Sequence, residues 1–571
     1  MKKYFVLFLA LGASTVAFSQ QPAKQKVKPT SRPVKAINAN DKPVIKELKE
    51  AVLYTYTPTE HIKSAAPNFA ATITQQDLEK HLRIIASDEY EGRETGKKGQ
   101  KMAAEYIANH FKTSGLVPPP GLKSDSNPYY QEFELERRSW GDVYIIADGK
   151  KATFLKDFYS LGADTEKEET LPVVFAGYGI EEGQYSDYND IDVTGKAVVV
   201  LSGEPTDASG KSLVSGTAKA SAWATDWRSK QRLASRKGAK AVLFISDGNQ
   251  KDFEKTIDRL HHWIEQPTMG HPDQEAKTTG AGAFFLSPEL GARVLNTSTK
   301  KVEKFKQQVK KTGKVNKAAM AKNLPAITLK AERKKERFVT ENVLGYVEGT
   351  DLKDEVIVIT AHYDHIGVQD GKVYNGADDD GSGTVAILEM AEAFAKAKAA
   401  GMGPRRSILF MPVSAEEKGL LGSEYYTNNP VFPLEKTVAN LNIDMIGRTD
   451  EKYKTDKNYV YVIGSDRLST DLHNINEQAN QEHTKLKLDY TYNDPADPNQ
   501  FYFRSDHYNF AKNNIPIIFY FNGVHEDYHQ HTDTVDKILF DVLETRTKLV
   551  FYTAWEVANR DERPVVDKKG K

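Results

Sequence analysis

The chain has no cysteine, which excludes disulfides, a lipid attached at a signal-peptide cysteine, and the cysteine-rich sites that hold structural zinc. It also lacks a surplus of either charge: 78 Lys and Arg face 79 Asp and Glu, a formal net charge of -1. That balance leaves no footprint for nucleic acid or an anionic membrane surface. Long apolar runs are scarce as well. The one at the start, residues 4–11 with its tail, is shorter than the roughly 20 apolar residues that cross a bilayer. No internal repeat is visible.

What is present fits a globular protein of more than one core. The 571 residues are 39% hydrophobic and 27% charged, and single cores stop growing near about 250–300 residues. Two or three domains are therefore expected. Lys2 and Lys3 precede the apolar run, and Ala17-Phe18-Ser19 ends it. This is the layout of a secretory signal over residues 1–19, cleaved after Ser19, so the expected location is periplasmic or secreted, with no stable membrane insertion afterwards.

Residues 20–71 begin rich in Lys and Pro and poor in apolar periodicity, which reads as a flexible leader. Order is expected from Thr72, with helices carrying Leu78, Leu82 and Ile85, then Met102, Tyr106, Ile107 and Phe111. Residues 139–331 change to short β-rich runs at 172–176, 196–201, 241–245 and 283–286, with one helical stretch at 217–236. Their His261, His262 and His271 read as surface residues.

Beyond Arg337, apolar runs at 356–361, 407–413, 440–446, 459–463 and 517–521 alternate with helical patterns such as 382–398. Near-continuous apolar strands covered on both faces indicate an α/β layer with a mostly parallel central sheet. Pro412 predicts a bulge or an end to its strand.

Open α/β sheets bind ligands at the carboxyl ends of their strands, and there this sequence places acids and histidines. The first run leads into His362-Tyr363-Asp364-His365, and the following turn is Gly376-Ala377-Asp378-Asp379-Asp380. The next strand ends in Ala415-Glu416-Glu417, another contains Asp444, and the last leads to Asp527-Tyr528-His529-Gln530-His531. Singly, each reads as a solvated turn or an exposed face, and the aspartates do not complete a calcium loop. At successive strand ends they point together to a metal site, and mixed histidine and carboxylate donors suit zinc.

With these motifs the chain resembles the co-catalytic zinc aminopeptidase family, whose relatives include glutamate carboxypeptidases, glutaminyl cyclases and transferrin receptors. The likeness extends to Arg504-Ser505-Asp506-His507 and to Glu91-Gly92-Arg93. It implies a zinc-exopeptidase fold at 72–138 and 332–560, an inserted protease-associated domain at 139–331, and a polar tail at 561–571.

The resemblance further implies two zinc ions per chain, one held by His362 and Asp444, the other by Glu417 and His529, with Asp379 bridging them. Glu416 is the implied general base and Asp364 a partner orienting His362. Tyr502 matches an oxyanion-stabilising tyrosine, Asp506 is a further candidate beside the metals, and the Asp364–His365 bond is the implied cis peptide. His365, His507, His525 and His531 fall outside the ligand pattern and are expected around it or at its rim. The expected substrate is a peptide cut at its N-terminus. Carboxypeptidase, glutaminyl cyclase and non-catalytic binding protein remain the alternatives, and oligomeric state is not legible.

Overall fold

The computed structural model describes residues 58–165, 167–272, 280–320 and 323–568. The expected signal at 1–19 and the leader up to residue 57 lie outside them. The rest of the expected leader departs from the sequence reading, because Pro58–Ala70 is a helix. Ala65, Ala66 and Ala70 are buried, Phe69 stacks on Trp555 at 5.7 Å, and the Trp555 indole N–H donates to Ile62 O at 3.2 Å. The buried stripe is mostly alanine, too small to stand out as a hydrophobic period.

The chain is a mixed α/β protein built on a seven-stranded sheet, with strand order Gly345–Val347, Arg406–Val413, Leu352–His362, Thr437–Ile443, Ile517–Phe521, Tyr459–Ile463 and Lys487–Asp489. The four strands from Arg406–Val413 to Ile517–Phe521 are mutually parallel. Register aligns their ends: His362 pairs with Val413, Thr360 with Asn442 and Ile443 with Tyr520. Four carboxyl ends thus open on one side of the sheet.

Alternate residues of these strands feed two cores. Ile357, Ile359, Leu441 and Ile518 pack under the helices Gln75–Ile85, Lys98–Thr113, Gly383–Ala399 and Phe540–Asn559, while Val358, Leu409, Met411 and Phe519 face the other layer. Burial on both faces explains the near-continuous apolar runs. The Arg406–Val413 strand continues through Pro412. Its antiparallel neighbour stops opposite Phe410, so no strand on that side waits for the missing N–H.

Two long strands, Tyr130–Ala147 and Ile327–Val343, form an antiparallel ribbon from Tyr130↔Val343 to Ile146↔Thr328, shifted in register between Trp140 and Val143. The ribbon leads from the large sheet to a second sheet of Val173–Phe175, Ala197–Leu201, Ala241–Ile245, Gly282–Leu286 and Phe158–Leu161. Helix content there exceeds the sequence reading. The 217–236 stretch is two helices, Ala222–Thr225 and Trp227–Arg236, and Gln250–Glu265, Pro288–Val294 and Thr299–Thr312 are also helical. Their signals were local: a capping box from Asn249 and Asp252 starts one, and Gly313 at φ 64 closes another.

At its base the ribbon touches the sheet on the side where the strands' carboxyl ends open. Phe133 and Leu135 pack with Ala415 and Leu421, with Met269 against them. The turn bearing the two glutamates is braced from outside its own sheet.

Candidate metal centre

His362 is the last residue of its strand, and its ring is set by the turn that follows. Nδ1–H donates to the main-chain carbonyl of Asp364 at 2.9 Å, which leaves Nε2 as the free donor atom. Nε2 lies 3.2 Å from Asp379 Oδ1, 3.7 Å from Asp444 Oδ1 and 3.9 Å from Glu416 Oε2. The Asp364 carboxylate stands 3.9 Å from Nδ1, so its carbonyl, not its side chain, orients the imidazole. The carboxylate accepts from Thr95 Oγ1 at 2.7 Å and from the Glu416 N–H at 3.2 Å.

Asp379 sits in a turn held from three sides. Asp533 Oδ2 accepts the N–H groups of Asp378 and Asp379 at 3.0 and 3.1 Å. Asp378 accepts from Gly447 N at 2.6 Å and meets His525 Nε2 at 3.1 Å, and Asp380 Oδ1 accepts from Gly383 N and Met445 N at 2.8 and 3.0 Å. The cis peptide expected at Asp364–His365 lies instead at Asp379–Asp380. Sequence carries no signal for which non-proline bond adopts it.

Beneath the turn, fully buried Arg93 donates to the carbonyls of Tyr363, Ile85, Asn375 and Gly376 at 2.7–2.9 Å. One guanidinium fork thereby ties His362's strand end to the loop that precedes Asp379. Burial pulls the Arg93 pKa down, against the opposing pull of Asp364, Asp379, Asp533 and Asp380.

The two glutamates separate in space. Glu417 Oε2 lies 3.3 Å from His529 Nε2 and its Oε1 2.9 Å from His365 Nδ1. His529 Nε2 is also 3.1 Å from Asp379 Oδ2, so Asp379 faces His362 with one oxygen and His529 with the other. Glu416 approaches only the His362 side. Potential donor atoms of His362, Asp379 and Asp444 lie within 4.8 Å of one another, and so do those of His365, Asp379 and Glu417. Two groups joined through one aspartate are a fit for two divalent ions. Asp379 Oδ2 and Glu417 Oε1 are buried with no hydrogen-bond partner, atoms that a cation would satisfy.

The protonation pattern is that of crowded, buried carboxylates and imidazoles. Burial opposes ionisation of Glu416, and neighbouring Asp444 and Glu417 add to it, so its carboxyl is held well above the usual range. Glu417 goes the other way despite burial, because His529 and His365 hold it low. His362 and His529 are raised although burial alone would lower them, by Glu416 and by Glu417 respectively with their other carboxylate neighbours.

A narrow cleft opens over His362, Asp379, Glu416 and Asp444. Its wall is Met445, Phe501, Phe519, Phe521 and Tyr528, with the Arg504 guanidinium above the Phe501 ring at 4.8 Å. Tyr502 does not reach this cleft. It is buried, and Arg467 covers its ring at 3.8 Å. Asp506 is buried behind the cleft, where Ser423 Oγ donates to it at 2.5 Å, and burial pushes its carboxyl up to about 7.

The histidines outside the expected set diverge. His507 donates to Tyr502 O at 2.8 Å, His525 meets Asp378, and His531 is near Lys372 at 3.2 Å. His365 is drawn into the centre itself. Sequence reasoning also passed over Tyr528 as a site residue. Its position beside His529, on which it stacks at 3.9 Å, was the available signal.

Residues 342–554 match the model of Peptidase family M28. Over 238 residues the chain is 26% identical to aminopeptidase YwaD of Bacillus subtilis (strain 168), a match covering 40% of this chain and 47% of that protein. A probable leucine aminopeptidase of Arthroderma otae is 31% identical over 236 residues, covering 40% of this chain and 61% of that one. The chain thus spans about half to three fifths of these curated relatives. The solved structure of an aminopeptidase from Aneurinibacillus sp. strain AM-1 shares the fold, with TM-score 0.52 over 88% of this chain and 98% of that one at 17% identity. The stretch that matches Peptidase family M28 holds every residue from His362 to His529, so the region that carries the metal centre is the region similar to peptidases of that family and to the aminopeptidases named above.

Proposed function

We propose that this protein is an exported, zinc-dependent exopeptidase that removes residues from the N-terminus of peptides. The observation that carries the proposal is Asp379 standing between two donor groups while Glu416 faces an apolar-walled cleft. His362 and Asp444 would hold one zinc ion, Glu417 and His529 the other, and Asp379 both. Zinc bound there supplies Lewis-acid polarisation of a carbonyl and lowers the pKa of water toward about 7.

The chain's own groups supply the remainder. Glu416 accepts the proton of the attacking water at its carboxylate and returns it to the leaving amine, a contribution of about 10²–10⁴ in rate. Tyr528 stands at the cleft where a phenolic O–H can steady the developing oxyanion, the role that resemblance assigned to Tyr502. The apolar wall takes the terminal side chain and excludes bulk water. Residues 139–331 are read as an inserted protease-associated domain, supported by their separate sheet and by Gly177-Tyr178-Gly179. Export rests on the signal-like residues 1–19, and among the described residues no helix is long and apolar enough to cross a membrane.

The test is a panel of peptides with free and blocked ends. Acetylating the N-terminus should abolish cleavage, while amidating the C-terminus should be tolerated. The reverse pattern would make the enzyme a carboxypeptidase.

A further inference from the structure

His365 lies in the metal centre, and none of the roles above uses it. It is fully buried, with Nδ1 at 2.9 Å from Glu417 Oε1 and 3.8 Å from Asp379 Oδ2. Close as it is to Glu417, the nitrogen makes no hydrogen bond, and neither does Nε2. Glu417 Oε1 and Asp379 Oδ2 are unpartnered too. Three buried donor atoms from three residues therefore converge without satisfying one another.

The ring is held there by its surroundings. The His365 N–H donates to Arg93 O at 3.2 Å. A Cβ on Gly376 would fall 2.5 Å from His365 Cδ2, so the glycine leaves the space that the imidazole fills. A histidine that merely orients a metal-binding carboxylate gives it an aligned N–H, and His365 Nδ1 has no such alignment with Glu417.

We propose that His365 is an additional protein donor to the ion held by Asp379, Glu417 and His529, an inference that rests on the two-metal reading above. That position then has four protein donors, counting the shared Asp379, whereas the position of His362, Asp379 and Asp444 has three. Four-donor zinc sites are closed, and three-donor sites keep a place for water or substrate. The two positions therefore differ in task and in affinity: the His365 position fills first and anchors, and the His362 position stays open.

The test is zinc titration of metal-free protein against a chromophoric chelator, together with X-ray absorption at the zinc edge. The parent should bind two ions with well-separated affinities and share three imidazoles between them. In His365→Asn, whose amide can still donate to Glu417, the tighter affinity should weaken by about 100-fold, since even outer partners of ligands are worth about 10–100-fold. The imidazole count should fall by one. Two ions and only two imidazoles in the parent would overturn the proposal without any variant, as would an Asn variant that keeps its tight affinity. A parent that never binds a second ion would sink the two-metal reading itself, a result distinct from either.

Discussion

The main-chain N–H of Glu416 donates to Asp364 Oδ1 at 3.2 Å, so the carboxylate beside His362 fixes the start of the glutamate pair. Because His362 is oriented by the Asp364 carbonyl, Asp364→Asn should keep that imidazole in place and retain an acceptor for Glu416 N–H. Its kcat is expected to fall by no more than about 10-fold, against about 100-fold for Asp364→Ala, the range seen when partners of metal ligands are removed. Equal losses in steady-state kinetics for the two variants would contradict the side chain's role as acceptor for the Glu416 N–H.

The separation of Glu416 from Glu417 predicts two different failures. Glu417→Gln should weaken zinc binding and lower Tm, because metal held only by the native state adds to folding free energy. Glu416→Gln should keep both ions and near-normal substrate affinity while kcat drops by about 10²–10⁴. Zinc content and kcat measured side by side decide it, and metal loss in the Glu416 variant alone would invert the assignment.

Arg93 joins four carbonyls with one planar fork, and lysine cannot reproduce that span. Arg93→Lys should lower stability by about 1.5–3 kcal/mol for each buried carbonyl left without its charged donor, while normal zinc affinity returns in whatever fraction stays folded. Urea unfolding of the two proteins checks the first part and chelator competition the second.

Away from the metals, burial and neighbouring His81 push His110 down to about 4. The unfolded chain, with histidine near about 6.5, takes up that proton first as pH falls. Stability from this group is therefore full above about 6.5 and lost as pH falls through 4. The Tm advantage of the parent over His110→Asn should shrink between pH 7 and pH 4. An advantage that stays constant across that interval would show that His110 does not titrate as described.

Much of the centre could be read from sequence because its donors sit at strand ends, where apolar runs stop and acids begin: His362, Glu416, Glu417 and Asp444 are all such residues. His365 and Tyr528 could not be placed that way. Each neighbours a flagged residue, and spacing within a tight turn does not say which side chains point inward. Tyr502 was misplaced for the same reason, since its burial under Arg467 depends on Arg467, far away in sequence. The helix Pro58–Ala70 was missed because its buried face is alanine. The helices of the second sheet lie among β-rich runs that mask their periodicity, although Asn249 and Gly313 mark two of their ends.

The antiparallel ribbon of Tyr130–Ala147 and Ile327–Val343 sets an order of assembly as well as a shape. If the chain folds from its N-terminus as it emerges from the export channel, the helices Gln75–Ile85 and Lys98–Thr113 have no sheet to cover, and Arg93 has no carbonyls at Tyr363, Asn375 or Gly376 to meet. They must wait while everything between the two ribbon strands emerges. The second sheet, complete before Ile327, can fold during that delay, since domains generally fold as units. Zipping the ribbon from its far end would then carry the early helices back to the late strands, and the metal centre would be among the last parts of the chain to close.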